Sequence, residues 1–191
     1  MLVQFVSLKR GGEKVSMSTR SGKFVTLSDV IKEVGVDATR FFFLMRSSDT
    51  HLDFDLELAK KESPENPVFY IQYAHARICS IFQTATKQGI NLLDQVDLDL
   101  KPLENEEELI IIKKILAFTE TVEKSAELLE VHRIAFYLQD LVGTFHRYYS
   151  SNRIVSDDQT VTLARLFLMN CLRVTIRNGL SIMGVSAPAS M

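Results

Sequence analysis

Two groups of side chains in this sequence have the chemistry to hold a phosphorylated or nucleic-acid ligand. The first is the run Lys14-Val15-Ser16-Met17-Ser18-Thr19-Arg20-Ser21-Gly22-Lys23, a small-residue, hydroxyl-rich and basic loop. Between Lys9 and Lys23 stand the cations Lys9, Arg10, Lys14, Arg20 and Lys23 against the single acid Glu13. Ammonium, guanidinium, hydroxyl and backbone N–H groups in such a loop can share the oxygens of a phosphate. On spacing alone, a solvated basic loop is the alternative. The second group is aromatic and basic: His146-Arg147-Tyr148-Tyr149, followed by Asn152-Arg153. Unpaired bases are read by stacking on aromatic rings and by hydrogen bonds to their edges. Tyr148 continues an apolar stripe and belongs to a core, whereas Tyr149 lies one step round and is better placed for a base; a packed helix end is the alternative for the pair. Arg173 and Arg177 stand one helical turn apart, with Arg165 upstream, so their guanidinium groups either address neighbouring phosphates or are solvated. His51 lies among Asp49, Asp53 and Asp55, but that spacing matches no common ligand motif and reads as a solvated turn, so no metal site is expected.

The elements that must position these groups are mostly helical. Ser63 to Gln88 reads as one long helix, with Ser63 as N-cap, Pro64 at the first helical position, Glu65 in the first turn and Gly89 closing it. Ile71, His75, Ile78, Phe82 and Ala85 form its packing face, while Tyr73, Arg77, Ser80 and Thr84 recur on the opposite, polar face. Before it, Leu2–Leu8 alternates as a strand and Lys9–Glu13 turns. Thr26 or Ser28 caps a short helix stopped by Gly35, and Asp37 opens another through Met45. Phe41, Phe42 and Phe43 cannot share one face, so that helix is buried on most sides or packs between two layers. Arg46–Ala59 mixes turn residues with spaced apolar ones. After Gly89 an acidic connector, 91–108, is expected to repel phosphate and face away from RNA. Three helices complete the chain: Glu106–Leu129, Glu130 to about Asn152, and a last one capped by Ser156. The fold expected is mainly α, an antiparallel helical bundle with a short N-terminal strand, loop and helix annex.

The bulk numbers bound the function. With 191 residues and 46% apolar content the chain can bury a core. A net charge of −2 and a pI near 6.1 give no global basic field, so any nucleic-acid contact must come from local patches. Cys79 and Cys171 lie far apart within apolar helical patterns and read as buried free thiols. No signal peptide and no apolar run of membrane-spanning length is found, which points to a cytoplasmic protein without membrane contact.

Asn66-Pro67-Val68-Phe69-Tyr70-Ile71-Gln72-Tyr73-Ala74-His75-Ala76-Arg77, continuing to Ile81, closely resembles the helix that opens the DALR-type anticodon-binding domain of arginyl-tRNA synthetases. The resemblance runs nearly end to end, through Asp37–Arg46, His51–Ala59, the Tyr137–Tyr149 helix and the tail ending in Met191. The loop Met17-Ser18-Thr19-Arg20-Ser21-Gly22 looks like the arginyl version of the class I Lys-Met-Ser-Lys-Ser signature, although Ser16 and Thr19 stand where that motif has lysines. The resemblance implies that residues 1–62 end a catalytic domain and that 63–191 form the anticodon-binding bundle. It places Lys14, Met17, Ser18, Thr19 and Arg20 near the phosphates of ATP, with Lys14 substituting for the motif's lysine. It places Tyr149 and Met191, then Tyr73 and Arg77, at the anticodon region of the tRNA; Arg173 and Arg177 join them as tRNA contacts on their helical spacing. The family's enzymes join arginine to its tRNA using ATP and Mg²⁺. No His-Ile-Gly-His-type motif or nucleotide-binding fold is present here. The chain is therefore expected to bind arginine tRNA without aminoacylating it, to hold no ATP or Mg²⁺ by itself, and to need a catalytic domain of the same protein as its partner. The strand Leu2–Leu8 is expected to offer a free sheet edge through which two copies could pair. A free-standing RNA-binding module, or a helical protein-interaction domain in which Tyr149 and Arg177 are indifferent to RNA, are the alternatives.

Overall fold

A computed structural model of the chain describes residues 6–15, 25–91 and 98–191. Residues 2–5 of the expected first strand lie outside these, as do Met17, Ser18, Thr19 and Arg20 of the signature-like loop.

The annex is a three-stranded sheet with helices across it. β1 (Val6–Arg10) pairs antiparallel with β2 (Glu13–Lys14) around a turn at Gly11 and Gly12, whose φ values of 61° and 87° suit glycine. β3 (Leu52–Asp55) pairs parallel with β1, Val6 facing Leu52 and Leu8 facing Phe54. The sheet order β2-β1-β3 puts β1 in the middle, so the free edge expected along Leu2–Leu8 is covered where that strand is described. Parallel strands need a crossover, supplied by α1 (Leu27–Val34) and α2 (Val36–Leu44). Thr26, not Ser28, caps α1, in a reciprocal capping box with Asp29. Phe41 and Phe42 are buried, while Phe42 and Phe43 lie at 5.4 and 5.6 Å from the Phe54 ring, so the three phenylalanines are shared between sheet and helices. Asp55 then caps α3 (Leu56–Lys60).

The long helix, α4 (Pro67–Lys87), starts three residues later than Ser63 as N-cap implies. The reason lies in Pro67, which disfavours helical backbone at the residue before it. Asn66 is accordingly extended, at φ −83° and ψ 110°, and its side-chain amide donates to the carbonyls of Ala59 and Lys61 at 3.0 and 2.9 Å. Ser63 belongs to the preceding turn. Gly89, at φ 77°, closes α4 as the sequence implies.

The expected helix Glu106–Leu129 is two helices, α5 (Glu106–Leu116) and α6 (Phe118–Leu128). In an unbroken helix the Lys114 carbonyl would accept from the Phe118 N–H; here the Tyr137 hydroxyl donates to it instead, at 2.8 Å, and the Tyr137 and Phe118 rings pack at 5.5 Å. A side chain from the next helix thus sets the bend at Ala117. α6 closes on Leu129, which holds φ 56° with 73% of its surface exposed. A β-carbon in that left-handed conformation costs about 1–2 kcal/mol. Leu129→Gly should therefore raise stability by roughly 0.5–1 kcal/mol after glycine's entropy cost, seen as a higher urea midpoint.

α7 (His132–Ser151) and α8 (Gln159–Ile182) complete the bundle and pack against α4 and each other. Asp158 caps α8, accepting from the N–H groups of Thr160 and Val161, while Ser156 bonds Thr162 and closes the turn before it. The core runs from Leu8, Phe54 and Leu56 in the annex through Ile71 and Ile78 of α4 to Leu138, Leu141, Phe145 and Tyr148 of α7 and Leu172 and Ile176 of α8. Cys79 is buried and Cys171 half-buried, both as free thiols. Two charged residues correct the sequence reading. Glu108, read as part of an acidic connector facing away from RNA, is fully buried, and Arg165, read with Arg173 and Arg177 as meeting phosphates or solvated, donates to it through Nε at 2.8 Å.

Candidate nucleic-acid interface

Tyr73, Arg77, Ser80 and Thr84 follow one another at helical spacing along α4, so one polar strip faces outward while Ile71, Ile78 and Ala85 face the core. The end of α7 crosses beside this strip. Tyr148 points inward, fully buried, with its hydroxyl donating to Glu108 at 2.7 Å; that contact fixes the rotation of the last turn and leaves Tyr149 beside the strip. The loop Asn152–Val155 forms another wall, and the chain end, Ser190 and Met191, a further one. Together they enclose an open cleft of about 620 Å³.

The centre of the cleft is Arg77. Its guanidinium carbon lies 4.9 Å from the ring centroid of Tyr73 and 4.9 Å from that of Tyr149. Each contact of this kind contributes about 0.5–1 kcal/mol at an exposed site, so the planar cation is held rather than sweeping through solvent. The aromatic column continues inward: Phe69 stacks on Tyr73 at 5.9 Å, His146 lies 4.5 Å from Tyr70 and 6.0 Å from Tyr73, and Phe145 backs Tyr149 at 5.7 Å. The result is a set of ring faces, one fixed guanidinium and several hydroxyl groups along an open trough. It suits a flat, polyanionic ligand with exposed bases.

The sequence-named residues divide cleanly. Tyr73, Arg77, Tyr149 and Met191, from two helices and the chain end, are brought together on the cleft. Arg173 and Arg177 are not among its lining residues. The Arg173 guanidinium sits 4.8 Å over the Phe82 ring and donates to Asn170 at 2.8 Å, and Arg177 is exposed beyond it. Lys14 is an exposed residue of β2. Asn152 and Arg153 line the cleft as their place after Tyr149 suggested; Ile154, Val155 and Ser190 were not singled out, having only their proximity in sequence to Arg153 and Met191 as a signal. Among the described residues no group of three or more His, Cys, Asp or Glu side chains could hold a metal ion, and no helix is long and apolar enough to cross a membrane.

Two histidines beside the cleft make the fold sensitive to pH. Burial lowers the pKa of His75; its hydrogen bond to the Pro188 carbonyl partly offsets this, and Arg173 and Arg177 add to the lowering. Burial likewise lowers His146, opposed by the Tyr70 carbonyl and assisted by Arg77. Both groups protonate less readily folded than unfolded, where a histidine titrates near about 6.5. The unfolded chain therefore gains protons first as the pH falls, so the stability from these sites is complete above about pH 6.5 and declines below it. The urea midpoint should drop between pH 7 and 5, and His146→Asn should flatten the decline. Carboxylates held down by cations, such as Glu33 beside Arg10 and Asp53 beside Lys9, titrate below that window.

A helical bundle that gathers aromatic faces and a clamped guanidinium around one trough has the make-up of a nucleic-acid-binding module. Residues 71–191 match the DALR anticodon binding domain, and the chain belongs to that family. The arginine–tRNA ligase of Syntrophotalea carbinolica is 54% identical over 191 residues, an alignment that takes in 100% of this chain and 34% of that protein. A Campylobacter jejuni protein described as an arginyl-tRNA synthetase superposes with a TM-score of 0.86 at 34% identity, over 100% of this chain and 40% of that one. The Thermus thermophilus arginyl-tRNA synthetase superposes at 0.70 with 26% identity, over 91% of this chain and 29% of that one. The resemblance read from the sequence and the mainly α fold expected from it are both borne out. The chain spans about a third of the length of the curated relatives it matches.

Proposed function

We propose that this chain is the C-terminal part of an arginine–tRNA ligase and that its cleft receives the anticodon region of arginine tRNA. The observation that carries the reading is Arg77 held between the rings of Tyr73 and Tyr149 with Met191 alongside. Bases of an anticodon loop are splayed and unpaired, so they can stack on those ring faces while the guanidinium meets the backbone. On a chain of net charge −2, such a local arrangement is what anion binding requires.

In this reading residues 63–191 carry tRNA binding and residues 1–62 belong to the catalytic side, with Lys14 reaching the phosphates of ATP. Arg173 and Arg177 meet phosphates beyond the cleft. The whole protein would act in the cytoplasm, joining arginine to tRNA with ATP and Mg²⁺. Among the described residues no cluster of His, Cys, Asp or Glu side chains offers that ion a site. The chain alone binds tRNA and does not charge it. Titration with arginine tRNA over a salt series tests this. Affinity should fall with log salt at a slope of about −0.7 for each phosphate met in a single-stranded loop. A folded chain with no affinity for that RNA would sink the reading.

A further inference from the structure

Beyond α8 the chain is turned and then pinned along its length. Gly184, at φ 66°, makes the turn: its N–H donates to the Ser181 carbonyl and that of Val185 to the Leu180 carbonyl, each at 2.9 Å. Arg40 Nε on α2 donates to the Met183 carbonyl at 3.2 Å. Asp37, also on α2, accepts from the Ser186 N–H at 3.1 Å and from the Ser186 hydroxyl. Gln72 on α4 donates to both the Asp37 carboxylate, at 2.8 Å, and the Ser186 carbonyl, at 3.0 Å. One turn along, His75 Nδ1 meets the Pro188 carbonyl at 2.8 Å, and because that partner can only accept, Nδ1 carries the hydrogen. Three residues later the tail ends on the cleft wall.

Met191 is 56% exposed, so packing alone does not fix it. Its position follows from backbone bonds made upstream by side chains that are themselves buried: Gln72 is 9% and His75 5% exposed. These anchors neighbour the cleft residues on the same helix, Gln72 beside Tyr73 and His75 two residues before Arg77. We infer that Asp37, Gln72 and His75 are positioning residues for the RNA cleft, lashing the tail so that Met191 completes the wall beside Tyr149 and Arg77. The inference rests on the tRNA-binding reading and adds to it the residues that set the shape of the site. They touch no RNA. Because Asp37 belongs to the annex, the shape of the cleft depends on α2 as well as on the bundle.

The test uses the full 191-residue chain, with Gln72→Leu and, on the half-exposed side of the latch, Asp37→Ala. The methyl resonance of Met191, assigned through Met191→Leu, is followed without RNA, and the affinity for arginine tRNA is then measured. Both variants should move the methyl signal toward that of a free peptide and weaken binding roughly threefold to thirtyfold, the range of couplings carried through a packed network. In a chain lacking residues 187–191, the same substitutions should cause no further loss. Unchanged affinity once the tail is freed, or an equal loss in the shortened chain, overturns the inference and leaves the tRNA reading standing. Failure of the unsubstituted chain to bind arginine tRNA removes that reading, and the inference with it.

Discussion

Glu108→Ala is expected to lower the unfolding free energy by about 3–5 kcal/mol, the cost of breaking a buried ion pair from one side. The carboxylate is fully buried and its bonds are made: Oε1 accepts from Arg165 Nε at 2.8 Å and from the Tyr148 hydroxyl at 2.7 Å, and Oε2 from the Asn105 N–H at 3.3 Å. Removing it leaves a guanidinium whose side chain is only 18% exposed, together with a buried phenol. Burial, followed by the bond to Glu108, pushes the Tyr148 hydroxyl far up, so it stays a donor and cannot relieve the loss by ionising. Urea unfolding measures the effect as a lower midpoint at constant slope. Glu108→Leu combined with Arg165→Met should recover most of the loss, since an apolar pair of similar volume avoids an orphaned charge. A change in Glu108→Ala of no more than about 0.5 kcal/mol, the size of a surface effect, would show that the three-way contact does not hold the helices together. The site is implicated too, because the bond to Tyr148 sets the direction in which Tyr149 points.

Tyr149→Ala should weaken binding of arginine tRNA by roughly 5- to 150-fold, the range that corresponds to losing one stacked base at about 1–3 kcal/mol. The ring is half-buried, backed by Phe145 and faced by Arg77, so truncation removes both a stacking surface and one side of the guanidinium clamp. Tyr149→Phe should retain most of the affinity if stacking dominates over the hydroxyl. Arg77→Lys keeps the charge but gives up the planar fork, and should fall between the two. Anisotropy of labelled tRNA reads all three, with urea midpoints confirming that each variant is folded. If Tyr149→Ala bound as tightly as the parent, the cleft would not be where bases stack.

Much of this arrangement is legible in the sequence. Helical periodicity separates the packing face of α4 from its Tyr73, Arg77, Ser80 and Thr84 strip, and the same periodicity turns Tyr148 inward and Tyr149 outward. Gly35 and Gly89 mark helix ends through local backbone chemistry, which a sequence displays directly. What the sequence hides is set by partners far along the chain. The break at Ala117 depends on Tyr137, whose hydroxyl donates to the carbonyl of Lys114, 23 residues back along the chain. Glu108 reads as one more acid in an acidic run because its partner Arg165 lies 57 residues downstream. β3 is four residues long and exists by pairing with β1. The course of the tail is likewise unreadable from its own small residues, since its anchors sit on α2 and α4.

The most direct measurement is the affinity of this chain for arginine tRNA against the same tRNA with its anticodon substituted, at matched salt. Tight binding that falls on substitution, with Tyr149→Ala abolishing the difference between the two RNAs, is the predicted result. Equal, weak and steeply salt-dependent binding of both would contradict the central claim, because contacts with phosphates alone would then account for all the affinity.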